Sequence, residues 1–410
     1  MLSCQSFTEM GKEKELNNWE ELGLRLRSLA VFRALLQGNP LSLFLRMISS
    51  ACQPVEQRVD SYAEFASYVL GQGGNYTELL LERILENENV YVHRRAKGLA
   101  VGDALEKCVR QELLTLQEAC TVQPQDVQAY LDYRGFLPAW ETQKLDLLSI
   151  YEERMQRIDC CGYGIFSKYS MFRLSDGVIV PVKTPDPVRL SDLEGYEMER
   201  GAVIDNTLAL IKGKPAANVL LYGDAGTGKS STVKAVVNEY ADRGLRLIEV
   251  TKKQFGWIPN VVGALGENPL KFILFIDDLS FAKENDDFGA LKAILEGSVA
   301  AKTPNIAIYA TSNRRHLIKE TFSSREGDDI HRNETIQEMV SLSGRFGLAV
   351  NFFQPDKEQY LEIVRSLKQK YGVLLPDEQL ELEAERYALR RGGRSPRVAR
   401  HFVEQLKSRE

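Results

Sequence analysis

The chain has 410 residues, 44% of them hydrophobic, with 52 basic and 57 acidic side chains for a net charge of −5. That length suggests two or three domains. Neither half is basic overall, which excludes a broad polyanion-binding surface and leaves any nucleic-acid contact to a local patch. No basic-then-apolar leader opens the chain and no apolar run is long enough to span a bilayer, so the expectation is a soluble, cytoplasmic protein without a membrane partner.

Residues 1–160 predict a mostly α-helical N-terminal domain. Leu16 to Leu36 carries apolar residues at helical spacing (Leu22, Leu24, Leu26, Leu29, Phe32, Leu35, Leu36) until Gly38-Asn39-Pro40 stops it. Further periodic segments fall at about 41–51, 60–70, 77–87, 92–117, 124–135 and 141–158, punctuated by Gly71-Gln72-Gly73-Gly74 and Gly135-Phe136-Leu137-Pro138. The six cysteines (Cys4, Cys52, Cys108, Cys120, Cys160, Cys161) all lie in the first half of the chain without a CxxC pair, and read as buried reduced thiols. His93-Arg94-Arg95 reads as an exposed basic trio, and no catalytic constellation stands out.

Near residue 160 the texture changes. Gly162–Phe166, Tyr169–Leu174 and Val178–Val182 predict short strands, the last two joined by a turn at Ser175-Asp176-Gly177. Lys183-Thr184-Pro185-Asp186-Pro187 predicts a linker. Residues 161–190 are therefore expected as a short β segment and linker, with a domain boundary near 185–190. From 191 to 354 strands (218–222, 245–250, 271–277, 305–311, 348–352) alternate with helices (about 229–241, 286–298, 333–342). Continuous apolar strands in that alternation predict a parallel sheet flanked by helices, an α/β nucleotide-binding domain. Residues 355–410 predict a helical lid, with helices at 357–371, 377–391 and 395–408.

Three stretches carry chemistry. Gly223-Asp224-Ala225-Gly226-Thr227-Gly228-Lys229-Ser230 follows an apolar strand and opens a helix, the order a phosphate cradle requires; Ser231 follows in the helix. Glycines let successive N–H groups approach phosphate, Lys229 reaches the β and γ phosphates, and the Ser230 hydroxyl takes one position on Mg²⁺. The ligands expected are a nucleoside triphosphate and Mg²⁺. The second stretch, Phe272–Asp278, is a buried strand ending in two carboxylates: Asp277 for the metal, Asp278 to orient and deprotonate a water. The third, Ile306–Asn313, brings Asn313 to the edge where open α/β sheets bind ligands.

These motifs resemble the AAA+ ATPases. The glycine loop resembles the Walker A motif, Ile276-Asp277-Asp278 Walker B and Asn313 sensor 1. Ser343-Gly344-Arg345-Phe346-Gly347 is similar to the arginine-finger segment of the clade containing the Holliday-junction branch-migration motor and clamp loaders. Arg394-Ser395-Pro396-Arg397-Val398-Ala399 is similar to sensor 2, with Arg397 as the sensor. More narrowly, residues from about 190 resemble a bacterial AAA+ family catalogued as domain of unknown function 815. The matching runs include Asn206-Thr207, Asp277-Asp278-Leu279-Ser280-Phe281 and Ala310-Thr311-Ser312-Asn313-Arg314-Arg315-His316.

The resemblance implies ATP as the nucleotide, and a catalytic set of Asp278, Asn313, Arg345 and Arg397 in a homo-oligomer that remodels or loads a protein or nucleic-acid partner. The superfamily's usual Asp-Glu is Asp277-Asp278 here, one methylene shorter, and Gly344 replaces a common Asp. The shorter acid keeps open a second reading, a nucleotide-dependent switch with slow hydrolysis. A GTPase would need Asn-Lys-x-Asp, which the chain lacks.

Overall fold

The computed structural model describes residues 18–50, 52–131, 133–279, 303–313 and 344–409, with residues 291, 294 and 295. The expected helix at 286–298 (those three residues apart), the helix at 333–342 and Arg314, Arg315 and His316 lie outside the described residues. The chain divides into two units, Met1–Lys168 and Tyr169–Glu410.

The first unit is helical: α1 (18–27), α2 (Leu41–Ile48), α3 (Val55–Gly71), α4 (Tyr76–Glu86) and α5 (Val90–Ala96). These are followed by α6 (Asp103–Cys120), α7 (Pro124–Leu131), α8 (Leu147–Gln156), α9 (Ile158–Cys161) and α10 (Ile165–Lys168). Its core joins Leu22, Leu26, Phe32, Leu79, Leu80 and Ile84 to an aromatic cluster in which Phe65 meets Trp140 edge-on at 4.8 Å.

The single helix expected over Leu16–Leu36 is a correction: α1 ends at 27, and a 3-10 turn follows at Arg33–Gln37. A remote side chain causes the break. The buried Glu112 carboxylate of α6 accepts hydrogen bonds from the Ala30, Val31 and Phe32 N–H groups at 2.7, 3.1 and 2.9 Å. The expected helix 92–117 is two helices, separated at Gly98, whose φ of +64° suits glycine. The strand expected at Gly162–Phe166 is absent, and α10 begins within it.

Of the described cysteines, only Cys120 is fully buried, which pushes its thiol up to about 12. Cys52 is exposed, and the five described cysteines are free of disulfides.

Among the described residues, the second unit is built on seven strands. They are β1 (Met171–Ser175), β2 (Val178–Pro181), β3 (Val219–Gly223), β4 (Leu245–Glu249), β5 (Lys271–Ile276), β6 (Ile306–Ser312) and β7 (Leu348–Phe352), in the order β2-β1-β4-β5-β6-β3-β7. Only β1 and β2 pair antiparallel; every other neighbour is parallel. The β1–β2 hairpin expected beside a linker therefore belongs to the sheet, with Met171 in register with Leu247, and the unit boundary falls before it.

Helices α11 (Glu197–Ile211) and α12 (Lys229–Tyr240) pack Val203, Leu210, Val233 and Val237 on one sheet face, against Leu221, Ile273, Phe275 and Tyr309. α13 (Ile258–Leu265) follows β4. Asn206 fixes α11 to the sheet: its amide donates to the Ala217 carbonyl and the Tyr309 hydroxyl, both at 3.0 Å, and accepts from Ala217 N at 2.9 Å. After β7 come α14 (Lys357–Tyr371), α15 (Asp377–Arg390) and α16 (Pro396–Lys407), with Tyr360, Val364, Leu380 and Phe402 among their core. The architecture expected from the sequence, a parallel sheet flanked by helices and followed by a C-terminal helical lid, with a helical region earlier in the chain, is the one observed.

Candidate nucleotide-binding site

Because β3 to β7 run parallel, the segments that follow β3, β5, β6 and β7 leave the sheet at one edge. The loop after β3 is held from both sides. Asp224 N donates to the Phe352 carbonyl at 3.0 Å and the Asp224 carboxylate accepts from Gln354 N at 2.7 Å, so the end of β7 clasps the loop. Gly223 sits at φ +135°, and a Cβ there would lie 2.2 Å from the Phe352 carbonyl oxygen; only glycine fits. Gly226 (φ +80°) and Gly228 (φ +93°) complete the turn, Thr227 Oγ1 donates to the Asp224 carbonyl at 2.9 Å, and α12 begins at Lys229. Ala225 is exposed beside Gly226, and Ser231 lies on the first turn of α12.

Lys229 is buried, its ammonium donating to the Gly223 and Asp224 carbonyls at 3.1 and 2.6 Å. Burial lowers its pKa, and the nearby Arg397 adds to that, while Asp224, Asp278 and Asp277 oppose it. A cation held dry and beside a second cation is poised for an anion. The N-terminus of α12, aimed at the same place, adds its partial positive charge.

Opposite Lys229, Asp277 Oδ1 accepts from Ser230 Oγ at 2.6 Å and from Thr311 Oγ1 at 2.5 Å. Asp278 adopts φ +51°, a left-handed conformation that Asp tolerates better than most residues. Its N–H donates to Thr311 Oγ1 at 3.0 Å, and its carboxylate accepts from Asn313 Nδ2 at 3.0 Å. The structure thus joins Lys229, Ser230, Asp277, Asp278 and Asn313 in one cluster. Thr311 is the residue sequence reasoning left out of the site. Its signal was present, since Thr311 and Asn313 alternate with Ser312 at the end of β6.

The lid closes on the loop from above. Arg397 N donates to the Gly226 carbonyl at 3.2 Å, and a Cβ on Gly226 would touch Ser395 Oγ at 3.2 Å. The basic cluster of the lid is largely committed. Arg394 makes two bonds to Glu385 at 2.9 and 2.7 Å, Arg391 covers the Tyr387 ring and Arg400 donates to the Asp192 carbonyl. The Arg397 side chain is exposed beside the loop.

Arg345 is elsewhere. β7 runs parallel to β3 with Leu348 opposite Val219 and Phe352 opposite Gly223, so Arg345 lies beyond the start of β7, at the opposite sheet edge. It sits in the turn that leads into β7, whose strand from Leu348 to Phe352 spans about 13 Å.

The donor set suits Mg²⁺. Ser230 Oγ and Asp277 Oδ1 are two hard oxygens side by side, and among the described residues no group of three or more His, Cys, Asp or Glu exists to cage a metal. Mg²⁺ needs few protein ligands when phosphate and water fill its remaining positions.

A family model described as "Protein of unknown function (DUF815)" matches residues 167–410. The chain belongs to the DUF815 family. That match coincides with the second unit of this DUF815 protein and leaves its helical first unit uncovered. The replication factor C large subunit of Methanococcus maripaludis strain S2 is 27% identical over 124 residues, 29% of this chain and 26% of that protein. The Methanococcus vannielii large subunit is 26% identical over 124 residues, 29% of this chain and 25% of that protein. The match thus spans about a quarter of the length of these curated relatives. Among solved structures, the Thermotoga maritima RuvB Holliday junction branch migration motor is similar at 16% identity. It covers 54% of this chain and 65% of that one, with a TM-score of 0.36. A point mutant of the same motor aligns with a TM-score of 0.37 over the same shares, also at 16% identity.

Proposed function

We propose that this DUF815 protein is a Mg²⁺-dependent ATPase that works as an assembly of copies on a macromolecular partner. The observation that carries this reading is the paired arrangement around Thr311: one hydroxyl ties Asp277 to the metal side, and its acceptance of the Asp278 N–H turns Asp278 toward Asn313.

When bound, Mg²⁺–ATP supplies a γ-phosphoryl group whose charge is already partly neutralised. Lys229 and the loop N–H groups would bind that phosphate chain, and Ser230 with Asp277 would hold the metal. Asp278 accepts a proton from the attacking water, and Asn313 fixes the Asp278 carboxylate in place for that transfer. Arg397 adds positive charge from the lid. Arg345 precedes β7 at the sheet edge opposite its own loop, so it serves the site of a neighbouring copy, where a finger of this kind is worth roughly 10³–10⁵ in rate.

The curated relatives bear the name replication factor, which supports nucleic acid or a nucleic-acid-bound protein as the partner. A second reading, a nucleotide-dependent switch, is favoured by one feature, the short Asp278 side chain. A carboxylate set back by about 1 Å costs on the order of a hundredfold in rate.

Phosphate release measured on Asp278→Asn separates the two roles of the acid pair. ATP and Mg²⁺ binding persists because Asp277 is intact, and turnover falls at least about 100-fold because an amide accepts no proton from water. Unchanged turnover would remove Asp278 from the mechanism.

A further inference from the structure

Strand β7 ends the sheet, pairing only with β3 among the described residues, so its other edge is open there. Along that edge runs a cleft of about 720 Å³, walled by Leu348 and Val350 of β7, Glu194 before α11, Glu197 and Glu199 at its start, and Glu362 of α14. Two of these acids are matched at home: Glu197 pairs with Arg200 at 3.2 Å, and Glu194 accepts from Ser366 Oγ at 2.6 Å. Glu199 and Glu362 have no ion-pair partner among the described residues. Met198, 87% exposed, stands in the same wall.

The lid carries the complement. On α15, Leu382 and Leu389 are 53% and 78% exposed, and they share one helix face with the exposed Arg386 and Arg390. Neither arginine has an ion-pair partner among the described residues. A stripe of two leucines and two arginines faces solvent on one part of the molecule. A groove of apolar strand edge and unmatched glutamates faces solvent on another.

We propose that the groove along β7 seats α15 of a second copy of this chain, Glu199 and Glu362 receiving Arg386 and Arg390, and the apolar wall receiving Leu382 and Leu389. The contact uses different surfaces on the two copies, so it propagates head to tail into a ring or a filament. The incoming α15 ends five residues before Ser395, at most about 18 Å of chain, and Ser395 and Arg397 lie against Gly226 of the phosphate loop, so docking α15 brings that copy's phosphate loop to this copy's β7 edge. The inference rests on the assembly reading above.

Charge reversal tests it on the full chain with ATP, by sedimentation velocity across protein concentration. Arg386→Glu/Arg390→Glu and Glu199→Lys/Glu362→Lys are each expected to bind ATP normally and to raise the half-assembly concentration at least about tenfold. The four changes together reverse both surfaces, and are expected to restore assembly to within about threefold of the unmodified protein. If a double variant does not fold, Arg386→Glu and Glu362→Lys, singly and together, give the same comparison. Doubles that assemble as the unmodified protein does, a four-fold variant no better than either double, or an unmodified protein that stays monomeric would each overturn the proposal. The finger reading fails separately: an Arg345→Ala protein that hydrolyses ATP normally would remove it while leaving the docking surface standing.

Discussion

Thr311 links the two acids through a single hydroxyl, giving a hydrogen bond to Asp277 and taking one from Asp278 N–H. The backbone of Asp278 is in the left-handed region, and that bond helps to hold it there. A Thr311→Val change keeps the shape and removes both bonds. Asp277 would keep the Ser230 hydroxyl and the Asp278 N–H as donors but lose Thr311, and the carboxylate of Asp278 would lose its fixed height above the loop. ATP affinity should stay within about threefold, since Lys229 and the glycines are untouched. Turnover should fall about 10- to 100-fold, the cost of displacing a reacting group by a fraction of an ångström to 1 Å. Steady-state kinetics with a separate nucleotide titration distinguishes these effects; an equal loss in both would mean Thr311 acts only on folding.

Among the elements, the junction of β3, β7 and the phosphate loop is the tightest. Gly223→Ala would force a methyl group to within 2.2 Å of the Phe352 carbonyl at a φ of +135°. The strain, about 3 kcal/mol, pushes β7 off the loop. For a unit of this size that lowers Tm by roughly 6–12 °C. Calorimetry should show that drop together with lost ATP binding, and an unchanged melt would contradict the clasp.

The five parallel strands β3 to β7 could be read from the sequence to within a residue or two, because each is a short, mainly apolar segment bounded by glycine, turn or polar residues. The lid helices were legible for a similar reason: Asp356 and Ser395 cap α14 and α16, accepting from Gln359 and Val398 N–H. What could not be read was set at a distance. Nothing near residue 30 reveals that Glu112 will end α1, and nothing in the β1–β2 hairpin reveals that Met171 will align with Leu247. Helix α11 escaped notice because Val203, Ile204, Leu208 and Leu210 do not form one stripe. Within the site, the motif residues were legible from their spacing, whereas the Thr311 bridge depends on how β5 and β6 align.

At the scale of the whole molecule, the sheet sets where the chain can be cut. A fragment beginning at Tyr169 retains all seven strands and should bind ATP within about threefold of the full chain. A fragment beginning at Pro187 loses β1 and β2, opens the β4 edge beside Leu247 and Ile248, and should aggregate. Light scattering on the two fragments decides this, and equal solubility would mean the hairpin is dispensable.

The central claim, that Lys229 binds ATP for its own site while Arg345 acts on a neighbour's, is tested most directly by mixing two inactive proteins. Lys229→Ala cannot hold the phosphates but keeps the finger, and Arg345→Ala holds ATP but lacks the finger. In an equal mixture, about one site in four pairs an intact Lys229 with an intact neighbouring Arg345. The account predicts that each variant alone is nearly inactive and that the mixture recovers about a quarter of the normal turnover per site. A mixture no more active than the average of its two components would contradict it.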